Sequence, residues 1–467
     1  MKLLPALRTT LDPRLGAILL LVLVACTPDP SLVKPPEQGW VWSKNFGGPG
    51  NDYANALAVD SQNNVFVAGS SDASFGWTNA GKKDGFVRKF DARGSSLWTQ
   101  AMATPGDDTI SDLVVTADLH ILAVGSSDGP NGAGSNLSDA VLQSWDANGI
   151  VGPGLRFGTP QGDAAVAVAV IGNAVGNNTG NNAGNDVVVV GWTDGALEGA
   201  DANPQARDAF VTRLSLNAAG LWKPVWSRQL ACSDDCEASG VAVDPNGNVY
   251  VTGYSDGDIG LQKVIKYSDA FVAKFAADGT PLWQRLIGGN GSDFSSAIAA
   301  DSSGAFIVGN SNGTLADQTS SGLDDAFIAR IDPDGQTRWL RFLGGAQADA
   351  AVDVAVNSSG AQFVGYSEGS LTGQANAQAN TQAGAGKADA FLAQYDANGT
   401  RTSVVTLGGP GNDYANGIAL ARNSLARNAN LEPNGTVYIA GYTEAALPGS
   451  SSAGFIDAFV ARYGPLP

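Results

Sequence analysis

Gly47-Gly48-Pro49-Gly50-Asn51-Asp52-Tyr53-Ala54-Asn55 returns letter for letter as Gly408–Asn416, near the other end of the chain. Each copy opens the same phrase. After the first come a small-residue strand (Ala56-Leu57-Ala58-Val59-Asp60), a strand ending in glycine (Val65-Phe66-Val67-Ala68-Gly69) and a strand opening on aspartate (Asp84-Gly85-Phe86-Val87). After the second come Val437-Tyr438-Ile439-Ala440-Gly441 and Asp457-Ala458-Phe459-Val460. Between them the closing glycine recurs at Gly125, Gly191, Gly253, Gly309 and Gly365, and the opening aspartate at Asp139, Asp208, Asp269, Asp325 and Asp389. Two separate markers thus count seven copies. Several short strands per unit, repeated about every 60 residues, predict the blades of a β-propeller.

A fourth strand follows in most copies, as in Ser96-Leu97-Trp98-Thr99-Gln100 and Arg338-Trp339-Leu340-Arg341-Phe342. The last copy lacks one, and the first is preceded by a spare, Trp40-Val41-Trp42-Ser43-Lys44-Asn45-Phe46. The prediction is an all-β, seven-bladed propeller of four-stranded antiparallel blades over 40–467, its ring closed by the N-terminal strand joining the last blade. Closure removes two exposed sheet edges. The small-residue strands should lie innermost, where the blades crowd the axis. Trp42, Trp98, Trp226, Trp283 and Trp339 recur in the outermost strand and should pack between blades.

The phrase resembles the SBBP family of bacterial β-propeller repeats, most clearly in the hairpin Asp244-Pro245-Asn246-Gly247-Asn248-Val249-Tyr250-Val251-Thr252-Gly253. That resemblance implies a scaffold and carries no catalytic residues. The second copy departs most, with Thr104-Pro105-Gly106-Asp107-Asp108 as its loop. The fourth puts Cys232 and Cys236 where the loop's second glycine and its aspartate belong. These two cysteines are expected to form a local disulfide in an oxidising compartment; with a single histidine in the chain they make a poor metal set.

Residues 1–25 read as an export signal. Lys2, Arg8 and Arg14 precede an apolar run, Gly16 to Val24, about half the length a membrane span needs. Leu23-Val24-Ala25-Cys26 resembles the lipobox of bacterial lipoproteins, which implies cleavage before Cys26 and a diacylglyceryl group on its thiol. Residues 26–39, with Pro28, Pro30, Pro35 and Pro36, suit an extended tether. The expected location is extracytoplasmic, lipid-anchored through Cys26 to a bacterial membrane, at the outer membrane or cell surface.

A formal charge of −18 and no basic stripe exclude nucleic acid as a natural partner. Strand order puts the Gly-rich and variable loops on one face (the loop face) and the tight turns on the other. Asp52, Asp293, Asp349 and Asp413, with Asp108 and Asp163, ring the loop face, either as a ligand-contacting set or as caps of their own loops. Trp77 and Trp192 are read as variable-loop residues on that face, suited to stacking on a sugar or a partner, or to packing beneath the loop. The hairpin at Asp244 lacks the glycine and glutamate of a calcium loop. His120, placed in an apolar strand run, offers little to a Ser-His-Asp site. No cofactor, metal or catalytic residue is assigned. The sequence favours, without deciding, a non-enzymatic platform for envelope protein or glycan partners; the alternative is a carbohydrate-active enzyme or lectin using carboxylates and tryptophan on the loop face.

Overall fold

A computed structural model of the chain describes residues 38–465, except 129–136, 172–185, 198–205, 231, 261, 266, 317, 370, 372–387 and 422–434. Cys26, the apolar run and the proline-rich stretch lie outside the described residues, as do nearly all of the three long insertions near 172–186, 369–387 and 422–434.

Seven four-stranded antiparallel sheets form the propeller, and the described residues contain no helix. Blade 1 runs Asp52–Val59, Val65–Ser71, Asp84–Phe90 and Ser96–Met102 from axis to rim. Blade 7 is assembled from both ends of the propeller: Asp413–Leu420, Val437–Thr443 and Asp457–Pro465 come from the C-terminal side, and Gln38–Phe46 is laid on as its outermost strand. Trp40 pairs with Tyr463 and Phe46 with Ala458, so the N-terminal strand closes the ring. This strand is described from Gln38 onward.

Every innermost strand carries a β-bulge at the same place, between Ala54 and Ala56 in blade 1 and between Ala415 and Gly417 in blade 7. The bulge drives a first-strand carbonyl against the facing residue of the second strand. A Cβ at Gly309 would lie 1.9 Å from Phe294 O, and one at Gly441 1.8 Å from Tyr414 O. Only glycine fits, which is why the marker recurs in every copy. Gly309→Ala is therefore expected to cost about 2–3 kcal/mol, measured as a shift in the urea midpoint, because backbone rather than a flexible side chain must move.

The tight turns are held by aspartate. Asp244 accepts the N–H groups of Asn246 (2.8 Å) and Asn248 (2.9 Å), as Asp332 does those of Asp334 (3.0 Å) and Gln336 (2.8 Å). The carboxylate of Asp244 is thereby engaged with its own turn.

Tryptophan clasps four of the blades to the next, and at the junction of blades 2 and 3 Trp222 donates back to Pro153 O (3.3 Å). Trp98, Trp226, Trp283 and Trp339 donate indole N–H to Ala147, Ala277, Pro333 and Ala397 O at 2.9–3.1 Å, each carbonyl in the outer tight turn of the following blade. The glycine of that turn leaves room for the indole: a Cβ at Gly279 would sit 2.6 Å from Trp226. Trp42 packs its ring over Gly94 in the same way, but its indole N–H finds no acceptor there, so the closing junction keeps the packing without the hydrogen bond. Blade 7 has no such turn, and there Trp40 donates to Thr406 O at 2.9 Å. Behind the clasp, the phenylalanines of the Asp-x-Phe strands (Phe86, Phe210, Phe271, Phe327, Phe391, Phe459) are fully buried.

Candidate functional site

The Gly-rich loops are built around their aspartates. Asp52, Asp293, Asp349 and Asp413 each accept the N–H of the residue four positions back, from Gly48, Gly289, Gly345 and Gly409, at 2.7–2.8 Å. Thr104 and Thr159 donate in the same way to Asp108 and Asp163. All six side chains are buried. Burial pushes Asp293 and Asp413 up to about 6, against weaker lowering by Ser311 and Thr443 and the backbone N–H. Each lies next to a third-strand aspartate, Asp269 and Asp389, whose charge raises it further. Asp269 and Asp457 cap the variable loops through the N–H of Ile265 and Ala453 (3.0 Å each). Of the two readings of Asp52, Asp293, Asp349 and Asp413, these contacts are those of loop caps: a short side chain at the start of a strand satisfies its own loop first.

Blade 4 is the exception. Cys236 takes the aspartate's place and is joined to Cys232 by a disulfide. Asp208, beside it, accepts Cys232 N–H (3.2 Å) and Gln229 Nε2 (2.8 Å). Asp208, Cys232 and Cys236 are the one close group of potential metal ligands among the described residues, but the sulfurs are spent on each other. Reduction is expected to lower stability by only about 2 kcal/mol, since the loop is very short; melting the protein with and without reductant, or as the Cys232→Ser/Cys236→Ser pair, measures it. The histidine sits one residue before its strand, exposed in a turn, with Nδ1 3.1 Å from Asp118.

Around the axis, residues at the bulges of every blade line a cavity of about 270 Å³. Asn55 donates to Ile110 O (2.8 Å) and Asn416 to Ala54 O (3.0 Å), stitching neighbouring blades at the lumen. Two carboxylates break the symmetry. Asp112 accepts the N–H groups of Leu113 (2.7 Å) and Val168 (2.8 Å), and Asp353 those of Val354 (2.7 Å) and Ile418 (2.8 Å). Both touch the lumen yet are enclosed by the ring, and this desolvation pushes Asp112 up to about 6 and Asp353 to about 7. Asp353 is raised further by the charge of Asp112. Neither was expected from the sequence, although aligning the inner strands would have found them: the other five blades hold Ala56, Ala167, Gly240, Ala297 and Gly417 there.

The loop-face mouth of this channel is aromatic. Tyr53 meets Tyr442 (5.1 Å between centroids), Tyr442 stacks on Tyr414 (4.8 Å), and Tyr414 meets Tyr366 (4.9 Å), an arc across blades 6, 7 and 1. All four rings are half-buried. A second arc holds Trp192 in blade 3 and the pair Tyr254–Phe294 (5.1 Å) across blades 4 and 5. Exposed carboxylates rim the first arc: Asp72, Glu368 and Glu444 directly follow the second strands. Burial pushes the Tyr442 and Tyr254 hydroxyls up to about 12, helped at Tyr442 by the neighbouring tyrosines and Glu444 and at Tyr254 by Glu237.

The two expected tryptophans have different fates. Trp77 lies under its loop, against Phe75 (4.7 Å), with its indole N–H on Asp84 (2.9 Å). Trp192 is not in a variable loop but near the end of the second strand Val187–Thr193, where Arg207 lies 3.8 Å over its ring.

Residues 41–76 and 225–260 match the family model for the Beta-propeller repeat, SBBP. Both windows start in an outermost strand and end just past the second strand of the next blade, the same phase of the repeat. The regulatory protein FlaEY of Caulobacter vibrioides is similar, 25% identical over 382 residues that make up 71% of this chain. The matched region spans 38% of that relative's length. Among solved structures, Sqt1 from Chaetomium thermophilum is similar at 12% identity and a TM-score of 0.43, covering 88% of this chain and 84% of that one. The phage phi92 endosialidase is similar at 9% identity and a TM-score of 0.43, covering 92% and 70%.

Proposed function

We propose that this chain, a seven-bladed propeller carrying SBBP-type repeats, is a lipid-anchored envelope platform that binds protein or glycan partners on its loop face and does no chemistry of its own. One observation carries the reading. The loop face presents half-buried aromatic rings beside exposed carboxylates at a channel mouth, while the strand-opening aspartates are buried as structural caps. Half-buried aromatics on a rigid scaffold suit recognition, because their apolar area is available with little conformational entropy to lose. The naming of FlaEY as a regulatory protein is compatible with a binding role. Anchoring through Cys26 rests on the sequence; palmitate labelling of the protein, abolished by Cys26→Ala, tests it.

The carbohydrate-enzyme alternative now depends on Asp112 and Asp353, the asymmetric carboxylates of the central cavity. Their oxygens already hold backbone N–H groups of the neighbouring strand, which is a structural use. A photo-crosslinking residue at Glu444 on the loop face should capture a discrete partner in intact cells, whereas one at Asn246 on the tight-turn face should not. If neither captures a partner and the purified protein hydrolyses glycans in a manner lost with Asp353→Asn, the platform reading is wrong.

A further inference from the structure

We propose that the mouth sector across blades 6, 7 and 1 receives the guanidinium or ammonium side chains of a basic segment on a partner protein. This rests on the platform reading and names the chemistry of its ligand.

The molecule displays the arrangement once with its own cation in place. Arg207 stacks over Trp192, 3.8 Å from the ring centroid, donates from Nε to Asp194 (2.9 Å) and from Nη1 to Glu237 (2.5 Å). A flat cation is thereby held by an aromatic ring under its face and two carboxylates at its edge, combining cation–π attraction with charge-assisted hydrogen bonds. Each part has a defined repeat position. Trp192 faces the strand-opening residue's neighbour on the second strand, Asp194 follows that strand, Glu237 is second in the next blade's inner strand, and Arg207 directly precedes the third-strand aspartate.

The same positions between blades 6 and 7 hold Tyr366, Glu368 and Tyr414; between blades 7 and 1 they hold Tyr442, Glu444 and Tyr53. The aromatic and acidic parts are kept, with Tyr in place of Glu237. The cation is not: Ala388 precedes Asp389 and Ile456 precedes Asp457. Lys83 approaches Tyr53 at 5.8 Å from one end, but among the described residues no basic side chain lies over Tyr366, Tyr414 or Tyr442, and none forms an ion pair with Glu368 or Glu444. Glu444 accepts Asn412 Nδ2 at 2.8 Å, a neutral donor from its own blade. Two adjacent positions therefore keep the aromatic and acidic parts of the Arg207 seat without its cation, their half-buried rings packed on one another beside exposed Glu368 and Glu444. An overall charge of −18 draws basic segments toward them and repels acidic ones.

Fluorescence anisotropy with labelled hexa-arginine and hexa-glutamate peptides, on the full-length chain at physiological ionic strength, tests this. Hexa-arginine should bind and hexa-glutamate should not. Glu368→Gln/Glu444→Gln should weaken hexa-arginine binding at least five-fold, and Tyr414→Ala/Tyr442→Ala at least ten-fold, with Tyr414→Phe/Tyr442→Phe restoring it because the ring is what counts. Asp278→Asn/Asp334→Asn removes the same charge from exposed positions on the tight-turn face and should change affinity less than two-fold. Equal losses from both double carboxylate variants, or no hexa-arginine binding at all, would overturn the proposal. If the crosslinker at Glu444 still captures a partner in that event, the platform stands and only the basic-segment ligand falls.

Discussion

Removal of residues 38–46 is expected to abolish the cooperative unfolding transition altogether. That strand fills three roles at once. It supplies the ladder from Gln38 to Phe46 along the strand Asp457–Pro465, leaving a bare edge when absent. It supplies Trp42, whose ring packs over Gly94 of blade 1. It also supplies Phe46, buried among Phe75, Phe86 and Phe90 with centroids 5.2–6.3 Å apart. Losing one buried phenylalanine and two half-buried tryptophans, and wetting the rings they cover, costs on the order of 10 kcal/mol, comparable with the whole stability of a typical domain. Size-exclusion chromatography should find the truncated chain aggregated or expanded, and a peptide of residues 38–46 added in trans should recover part of the transition. A truncated chain that melts as sharply as the parent, within a few degrees, would show that the ring does not depend on its closing strand.

The second large effect is on the pH of maximum stability, which should fall on the acid side, near pH 4–5. Asp353, pushed to about 7, and Asp112, Asp293 and Asp413, pushed to about 6, bind their protons more tightly folded than unfolded. Their contribution is complete below the ordinary carboxylate range and is lost as pH rises through 6 to 7. A tenfold change in proton affinity between the folded and unfolded chain corresponds to about 1.4 kcal/mol, so Asp353 alone represents on the order of 4 kcal/mol between pH 4 and pH 8. An opposite set bounds the acid side. Asp91, Asp146, Asp278 and Asp332 are held below the usual range chiefly by the turn N–H groups they accept, and stability from them fades as pH drops below about 4. Thermal melts should therefore show Tm rising from pH 8 to pH 5 and falling below pH 4. Asp353→Asn should flatten the limb between pH 5 and pH 8. An unchanged slope in that variant would place the effect elsewhere.

What the sequence made legible is what the fold repeats for a steric or hydrogen-bonding reason. The glycines from Gly69 to Gly441 mark bulges that leave no space for a Cβ, and the strand-opening aspartates mark loops that need a cap. Both follow from local backbone chemistry, so the copies repeat them, blade 4 alone placing Cys236 where the aspartate belongs. The spare strand at Trp40 was legible because the last copy is one short. Asp112 and Asp353 were hidden because the bulge inserts a residue into the alternation of the inner strand, so counting by twos misassigns which side chain meets the lumen. The aromatic arc was hidden for a different reason. Tyr53 and Tyr442 are distant in sequence and become neighbours only once the ring is closed. The fates of Trp77 and Trp192 turned on single partners, Asp84 for one indole and Arg207 for the other ring, and spacing alone does not report such partners.

The strand that closes the ring also decides how the molecule meets a mechanical load. Gln38 lies at the tight-turn end of its strand and Phe46 at the loop-face end, so whatever pulls on residue 38 does so from the side opposite the aromatic mouth. Tension directed along that strand is shared by the entire ladder in shear, the strong direction of a β-pairing. Tension directed outward from the rim peels the ladder one bond pair at a time, starting at Gln38 and Pro465. A partner held on the loop face while residue 38 is held elsewhere makes the closing strand the element through which the force passes, and its rupture would open the ring at the blade that bears the arc.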